Sequence, residues 1–369
     1  QIRKRTMVST RYIPYLIRKL WGENTRENLL RAKNTVLIAS LVISVFFVSA
    51  SLAAQSRRFR FETHDTTGMA WFKGNTHTHT LESDGDSPPE EVATWYKENG
   101  YDFLVLSDHN VLTNPAILSH IVDETFILIP GEEVTSSFED SSVHINGINI
   151  NTLVIPQTAE TLVGTIQKNV DAIREVEGAP HINHPNFGWS FGAEELAQVE
   201  NNRLLEIYNG HPTVHNNGGG DALGLEAIWD HLLTRGKRIY GIAVDDAHDF
   251  QTIGRDRSNP GRGWVTVRAR SLDAYEIVTH LEEGLFYAST GVDLDDIRVN
   301  NRRLEIQIRQ RGNFKYLTRF IGAGGKVLYE TPENPAVFEL RGPEVYVRAV
   351  VYDSGGWRAW VQPVFTVSN

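Results

Sequence analysis

Residues 71 to 86 read WFKGNTHTHTLESDGD. An apolar run ends at Asn75, His77 and His79 follow two positions apart, and Asp84 comes five further on. On an extended backbone, alternate residues face the same way, so both imidazoles can converge on one ion. Asp84 can return from the loop as a carboxylate ligand, and imidazole with carboxylate suits zinc, iron or manganese. A lone His-x-His is equally compatible with two exposed polar residues on a strand. Other apolar runs, however, also end in candidate ligands.

Short apolar runs alternate with helical stretches from Phe61 to about Val292, a pattern that predicts an α/β domain with a largely parallel sheet. Ser87-Pro88-Pro89-Glu90-Glu91 opens a helix closed by Gly100. Strand Tyr101 to Leu106 delivers Ser107-Asp108-His109-Asn110, and strand Phe126 to Pro130 delivers Gly131-Glu132-Glu133. Val143 to Ile150 alternates and carries His144. Thr161 to Glu177 has Leu162, Ile166, Val170 and Ile173 on one helical stripe. Ala179-Pro180-His181-Ile182-Asn183-His184 follows, then strand Leu204 to Tyr208 running into Asn209-Gly210-His211. A helix from Leu223 to Thr234 precedes strand Arg238 to Val244, which ends in Asp245-Asp246-Ala247-His248. Strand C-termini in such folds gather on one face, where sites form. From Asp293 onward helical periodicity is missing, and residues 293 to 369 read as a small antiparallel β domain with a hairpin at Asn300-Asn301.

The chain has 369 residues, no Cys and a net charge of -10. Disulfides, thiolate metal sites and a cysteine nucleophile are therefore excluded. Residues 1 to 60 hold 12 basic against 2 acidic residues, and the remainder 24 against 44. So acidic a body disfavours nucleic acid as a partner. Residues 1 to 33 form a basic leader, and 34 to 56 carry no charge, enough to cross a bilayer as a helix. The small residues Ser49 to Gln55 also fit a cleaved signal. Either way the expectation is an exported protein, periplasmic or otherwise extracytoplasmic, meeting membrane only through 34 to 56 if that segment is retained.

Taken in order, NTHTHT with Asp84, LSDHN, PGEEVT, VHINGINI, NHPN and VDDAH resemble the PHP (polymerase and histidinol phosphatase) family over roughly residues 70 to 292. INHPNFGWS, LEIYNGHP and the ending WVQPVF look most like its carbaryl-hydrolase-like branch. The resemblance implies a distorted seven-stranded β/α (TIM-like) barrel over 61 to 292, binding two to three divalent ions at its strand C-termini. By motif, His77, His79, Glu133 and Asp246 would hold one ion. Asp84, His109 and His248 would hold a second, and His144 with His184 a third bridged by Glu133. Glu133 is chosen over Glu132, Asp246 over Asp245 and His184 over His181 by the same motifs, and Asp108 is a candidate for orienting a ligand imidazole.

Clustered divalent cations convert a bridging water into a nucleophile near neutral pH, so a hydrolase is expected. Asp246 is expected to be catalytic as well as ligating, with His211 a candidate for protonating the leaving group. Arg255, Arg257 and Arg262 could grip a phosphoester, the favoured small-molecule substrate. Phe187, Trp189, Phe191 and Phe250 could instead wall a site for carbamates, esters or amides. A metal- or ligand-binding module without turnover is the remaining alternative.

Overall fold

The computed structural model describes residues 59 to 368, together with Thr35 and Ile38, both helical. The expected basic leader and apolar segment otherwise lie outside the described residues. The chain divides into Gln1–Arg58 and Phe59–Asn369, and the architecture below is that of the second unit. No helix among the described residues is long and apolar enough to cross a membrane.

The first ten strands are β1 Phe59–Phe61, β2 Ala70–Asn75, β3 Phe103–Leu106, β4 Ile127–Phe138, β5 Ser141–Ile148, β6 Ala179–Ile182, β7 Leu204–Asn209, β8 Tyr240–Val244, β9 Trp264–Ala269 and β10 Phe286–Ser289. After them come β11 Leu294–Val299, β12 Arg303–Ile308, β13 Tyr316–Gly322, β14 Lys326–Thr331, β15 Ala336–Glu339, β16 Tyr346–Asp353 and β17 Arg358–Ser368. The helices are α1 Pro89–Glu98, α2 Leu162–Glu175, α3 Ala193–Leu196, α4 Leu225–Thr234 and α5 Ala274–Glu283.

Local chemistry explains the helix boundaries. Helix α1 begins with Pro89 and places Glu90 and Glu91 in its first turn, where acids oppose the exposed N–H dipoles. Thr161 caps α2 by accepting from the Gly164 N–H, and Ile166, Val170 and Ile173 are buried on the predicted stripe. Asp273 caps α5, which stops at Gly284 with φ 75°.

A 14-stranded sheet runs in the order β14-β13-β16-β17-β10-β9-β2-β3-β4-β5-β6-β7-β8, with β1 added on β17. Strands β11, β12 and β15 form a separate sheet. Only four pairs are parallel: β2/β3, β3/β4, β6/β7 and β7/β8. The expectation of a largely parallel sheet is thus corrected. Strand β4 is 12 residues long; it outruns β3 and folds back on β5 as an antiparallel hairpin. Glu133 therefore lies mid-strand rather than at a strand exit.

The mixed α/β architecture matches the expectation, whereas a closed seven-stranded barrel is not formed. Strands β2 to β8 curve round seven in number, but β2 gives its other edge to β9, antiparallel. The ends of the curve meet only beyond the strands, at a parallel bridge between Thr78 and Ala247. There Asp246 N donates to His77 O (3.0 Å) and His79 N to Ala247 O (2.9 Å). The outer edge of β8, buried and without a second strand partner, is satisfied by a side chain: the Gln362 amide makes 2.8 Å bonds to both N and O of Gly241.

The main core lies between this sheet and α2, α4 and α5, with Trp229 fully buried and its indole N–H donating to Ile239 O. Strands β13, β16 and β17 extend the same sheet, and Arg348 on β16 reaches Asp230 on α4. The hairpin at Asn300 forms as predicted, its side-chain oxygen accepting from Arg302 and Arg303 N–H.

Candidate metal centre

The backbone after β2 sets the first two imidazoles. His77 N donates to Asn75 Oδ1, Ser107 N donates to Thr78 O, and the bridge to Ala247 holds the segment extended. His77 and His79 consequently face the same way, their Nε2 atoms 3.1 Å apart, and both are fully buried. From the adjoining β8 exit comes Asp246, a non-glycine residue at φ 48°. Such a backbone costs about 1–3 kcal/mol and tends to be kept where geometry matters. Its carboxylate Oδ1 lies 3.2 Å from His77 Nε2 and 3.3 Å from His79 Nε2. Glu133, reaching in from mid-β4, places Oε2 at 3.5 and 3.4 Å from the same two nitrogens.

The remaining expected ligands surround these four. His109 Nδ1 is 2.9 Å from Glu133 Oε2, and His144 Nδ1 and His184 Nε2 are 3.1 and 3.4 Å from Glu133 Oε1. Asp84 Oδ1 lies 3.4 Å from His79 Nδ1 and 3.3 Å from His248 Nε2, while its Oδ2 is 3.6 Å from His109 Nε2. All nine side chains named from the sequence are brought together, in four overlapping groups able to hold a metal ion.

The spacing fits cations. Ligand atoms about 2.1 Å from one ion, at about 90–109° to each other, stand about 3.0–3.4 Å apart. The contacts around His77 and His79 fall at 3.1 to 3.5 Å. Two buried atoms in the cluster, Glu133 Oε2 and His144 Nδ1, also lack a satisfactory hydrogen-bond partner. Buried polar atoms are rarely left so unless something else binds them.

The electrostatics are interdependent. Burial opposes charge on His77, yet Asp246, Glu133 and Glu206 raise its pKa well above the ordinary value. Burial likewise opposes charge on His109, but Asp84 and Glu133 push it up to about 10. His79 goes the other way, to about 4, through burial and the neighbouring His248. Burial disfavours the Glu133 carboxylate, but His144, His77 and His109 hold its pKa well below the usual range. The ligand carboxylates Asp84, Glu133 and Asp246 thus favour positive charge beside them, which divalent cations would supply.

Other expected residues fall in different places. Glu132 points to the opposite face of β4, fully buried, with Val154 N on Oε1 and burial pushing its pKa up to about 7. Asp245 lies beneath the cluster, accepting from Tyr96 OH and from Arg262 and Gly263 N–H. His181 lies within β6 and is fully buried. The expectation for Asp108 is corrected: it contacts no imidazole, but ties Thr80 and Ser83, fixing the loop that carries Asp84.

His211 borders the cluster, its ring centroid 5.4 Å from that of His248 and 6.4 Å from that of Phe187. Its Nδ1 accepts from Thr213 N–H at 3.3 Å, so the neutral ring carries its proton on Nε2. Burial lowers its pKa. Phe187 stands 5.3 Å from His184 and 6.2 Å from His144, forming an aromatic side to the cluster. The other aromatics do not. Trp189 stacks on His215 (4.3 Å), Phe191 is in the main core, and Phe250 packs with Trp95 and Tyr96. Arg262 donates to Gly210 O and Gly254 O, Arg257 pairs with Asp249, and Arg255 is exposed.

No protein-family model matches the chain, and no curated protein matches it. Solved structures do. One is a two-domain protein from Bacteroides vulgatus containing a predicted PHP-like metal-dependent phosphoesterase. It has 15% identity and a TM-score of 0.49, covering 85% of this chain and 99% of that one. The chain is similar to PHP-like proteins. Another neighbour is an amidohydrolase from Chromobacterium violaceum with bound sulfate, at 17% identity and TM-score 0.35, covering 48% of this chain and 88% of that one. Both likenesses are distant.

Residues that the sequence did not single out support the cluster. Glu206 accepts from His77 Nδ1, Asn183 Nδ2 donates to Glu133 Oε1, and Asn209 Nδ2 donates to Asp246 Oδ2. A signal for Glu206 existed: a lone charge inside the apolar run Leu204-Leu205-Glu206-Ile207.

Proposed function

We propose that this chain is a PHP-type metal-dependent hydrolase, most simply a phosphoesterase acting on a small phosphorylated substrate. The observation that carries the reading is the convergence of nine imidazole and carboxylate side chains at coordination-sphere spacing. His77, His79, Glu133 and Asp246 would hold one divalent ion; Asp84, His109 and His248 a second; His144 and His184, with Glu133, a third. Zinc, manganese and iron all suit this donor set. Bound there, such ions supply an acidic water and neutralise charge on the attacked centre.

The chain's own groups do the rest. Asp246, with Oδ2 held at 3.0 Å by Asn209, orients the attacking water and accepts its proton. As the imidazolium, with Nδ1–H on the Thr213 hydroxyl, His211 would give its Nε2 proton to the leaving group and return to neutral imidazole, the form that its lowered pKa favours. Arg255, exposed like Arg257, is the side chain left to meet a phosphoryl oxygen, since Arg257 is paired with Asp249 and Arg262 is bonded to loop carbonyls. Export, through the N-terminal segment as either a removed signal or a retained anchor, remains part of the proposal.

One observation favours a second reading, hydrolysis of an aryl carbamate, ester or amide. Phe187 sits against His144 and His184, and Arg262 is spent on loop carbonyls. Reconstituting the protein with manganese or zinc and offering phosphomonoesters, phosphodiesters and aryl carbamates distinguishes them. Faster turnover of a phosphoester supports the first reading; preference for the uncharged carbamate replaces it with the second.

A further inference from the structure

Glu206 lies at the centre of β7, fully buried, in a strand whose other side chains are mostly apolar. A lone carboxylate placed there is costly unless every lone pair is used. Here they are used on groups that carry the metal cluster. Oε1 is 2.7 Å from His77 Nδ1. Oε2 accepts from the backbone N–H of His184 (2.8 Å) and from Asn209 Nδ2 (2.8 Å). The same Asn209 amide donates to Asp246 Oδ2 at 3.0 Å.

We infer that Glu206 is the positioning residue of the centre, holding three of its ligands at once through one buried carboxylate. This rests on the metal-centre reading above. The bond to Nδ1 keeps the proton of His77 on that atom and leaves the Nε2 lone pair facing His79, Glu133 and Asp246. An anionic acceptor also makes the imidazole a stronger donor to a cation. The His184 contact fixes where the β6 exit turns, and the Asn209 relay fixes the Asp246 carboxylate. Topology allows this because β7 lies between β6 and β8, whose exits carry His184 and Asp246. His77 arrives from β2 across the curved sheet.

The test compares wild type, Glu206→Gln and Glu132→Gln by zinc content per chain and zinc affinity in competition with a chelator. Circular dichroism and thermal melting of the metal-free proteins are followed alongside. Glu132 serves as the control because it is an equally buried carboxylate facing away from the cluster. Loss of such a partner typically weakens binding about 10–100-fold. The expected result is that loss for Glu206→Gln in protein whose metal-free circular dichroism is unchanged, with Glu132→Gln binding as wild type does. Glu206→Gln binding zinc as tightly as wild type overturns the inference, as does an equal loss in both variants. If Glu206→Gln does not fold, Asn209→Ala replaces it; wild-type affinity in that variant also counts against the relay. Failure of the metal-centre reading is distinguishable, because wild type itself then takes up no zinc.

Discussion

Replacing Asp230 by alanine should destabilise the whole of the described unit, although the residue is remote from chemistry. Arg348 on β16 is 2% exposed and is met by Asp230 on α4 with a two-pronged pair, Nε to Oδ1 at 2.7 Å and Nη2 to Oδ2 at 2.6 Å. Tyr346 OH adds a third bond to Oδ1 at 2.9 Å. Removing the carboxylate strands a buried guanidinium, which typically costs about 3–5 kcal/mol. Glu226 stays 3.4 Å from Nη1, and the Trp229 ring lies 4.9 Å beneath the guanidinium. The expected loss is therefore at the lower end, about 3 kcal/mol. Urea unfolding followed by tryptophan fluorescence and by circular dichroism measures it. Both probes should move together, because the pair joins a helix of the α/β part to β16, one of the C-terminal strands that extend the same sheet. Changing both partners, Asp230→Leu with Arg348→Met, should recover most of the loss, since the buried charge goes as well. A single-variant loss below about 1 kcal/mol, or a double variant worse than the single, would refute the reasoning.

Three further outcomes are expected. His211→Ala should slow substrates with poor, high-pKa leaving groups at least tenfold more than nitrophenyl substrates; equal slowing removes its role as acid. Phe187→Ala should raise KM for aryl substrates severalfold while leaving zinc content intact, and an unchanged KM would show that the ring is only packing. Glu132 has an ordinary pKa of 4.5, pushed up to about 7 by burial. A raised folded-state pKa adds stability below the unfolded value and loses it as pH rises through the folded one. Glu132→Gln should accordingly flatten the stability curve between pH 4.5 and 7, and a curve of unchanged slope would contradict that burial effect.

Local signals carried well from sequence to structure where they needed only neighbouring residues. The α1 boundary, the α2 stripe and the Asn300 turn are written in spacing and capping chemistry. Four of the clustered side chains were legible from spacing, because His77-x-His79 and Asp246-x-His248 place pairs on one side of an extended backbone, whereas Asp84, His109, Glu133, His144 and His184 were assigned as ligands through the motif resemblance. What was not legible depends on long-range pairing. Nothing near Gly131 says that β4 continues past β3 to pair with β5, so Glu133 looked like an exit residue. Nor does Ala70–Asn75 announce that its second edge goes to β9, which leaves the curved sheet without a closing ladder. Asp108 and Arg262 were misjudged for a related reason. Both hold loops together, Asp108 through Thr80 and Ser83 and Arg262 through Gly210 and Gly254, and loop contacts leave no periodic trace. Glu206 was visible as a charge among apolar neighbours, but only the fold shows that it faces His77 rather than another buried partner.

The cluster itself can be examined most directly by anomalous diffraction from crystals equilibrated with manganese or zinc. The account predicts two or three strong peaks enclosed by His77, His79, Asp84, His109, Glu133, His144, His184, Asp246 and His248, with His77 bound through Nε2. Crystals saturated with either ion that show no anomalous density among these side chains would contradict it.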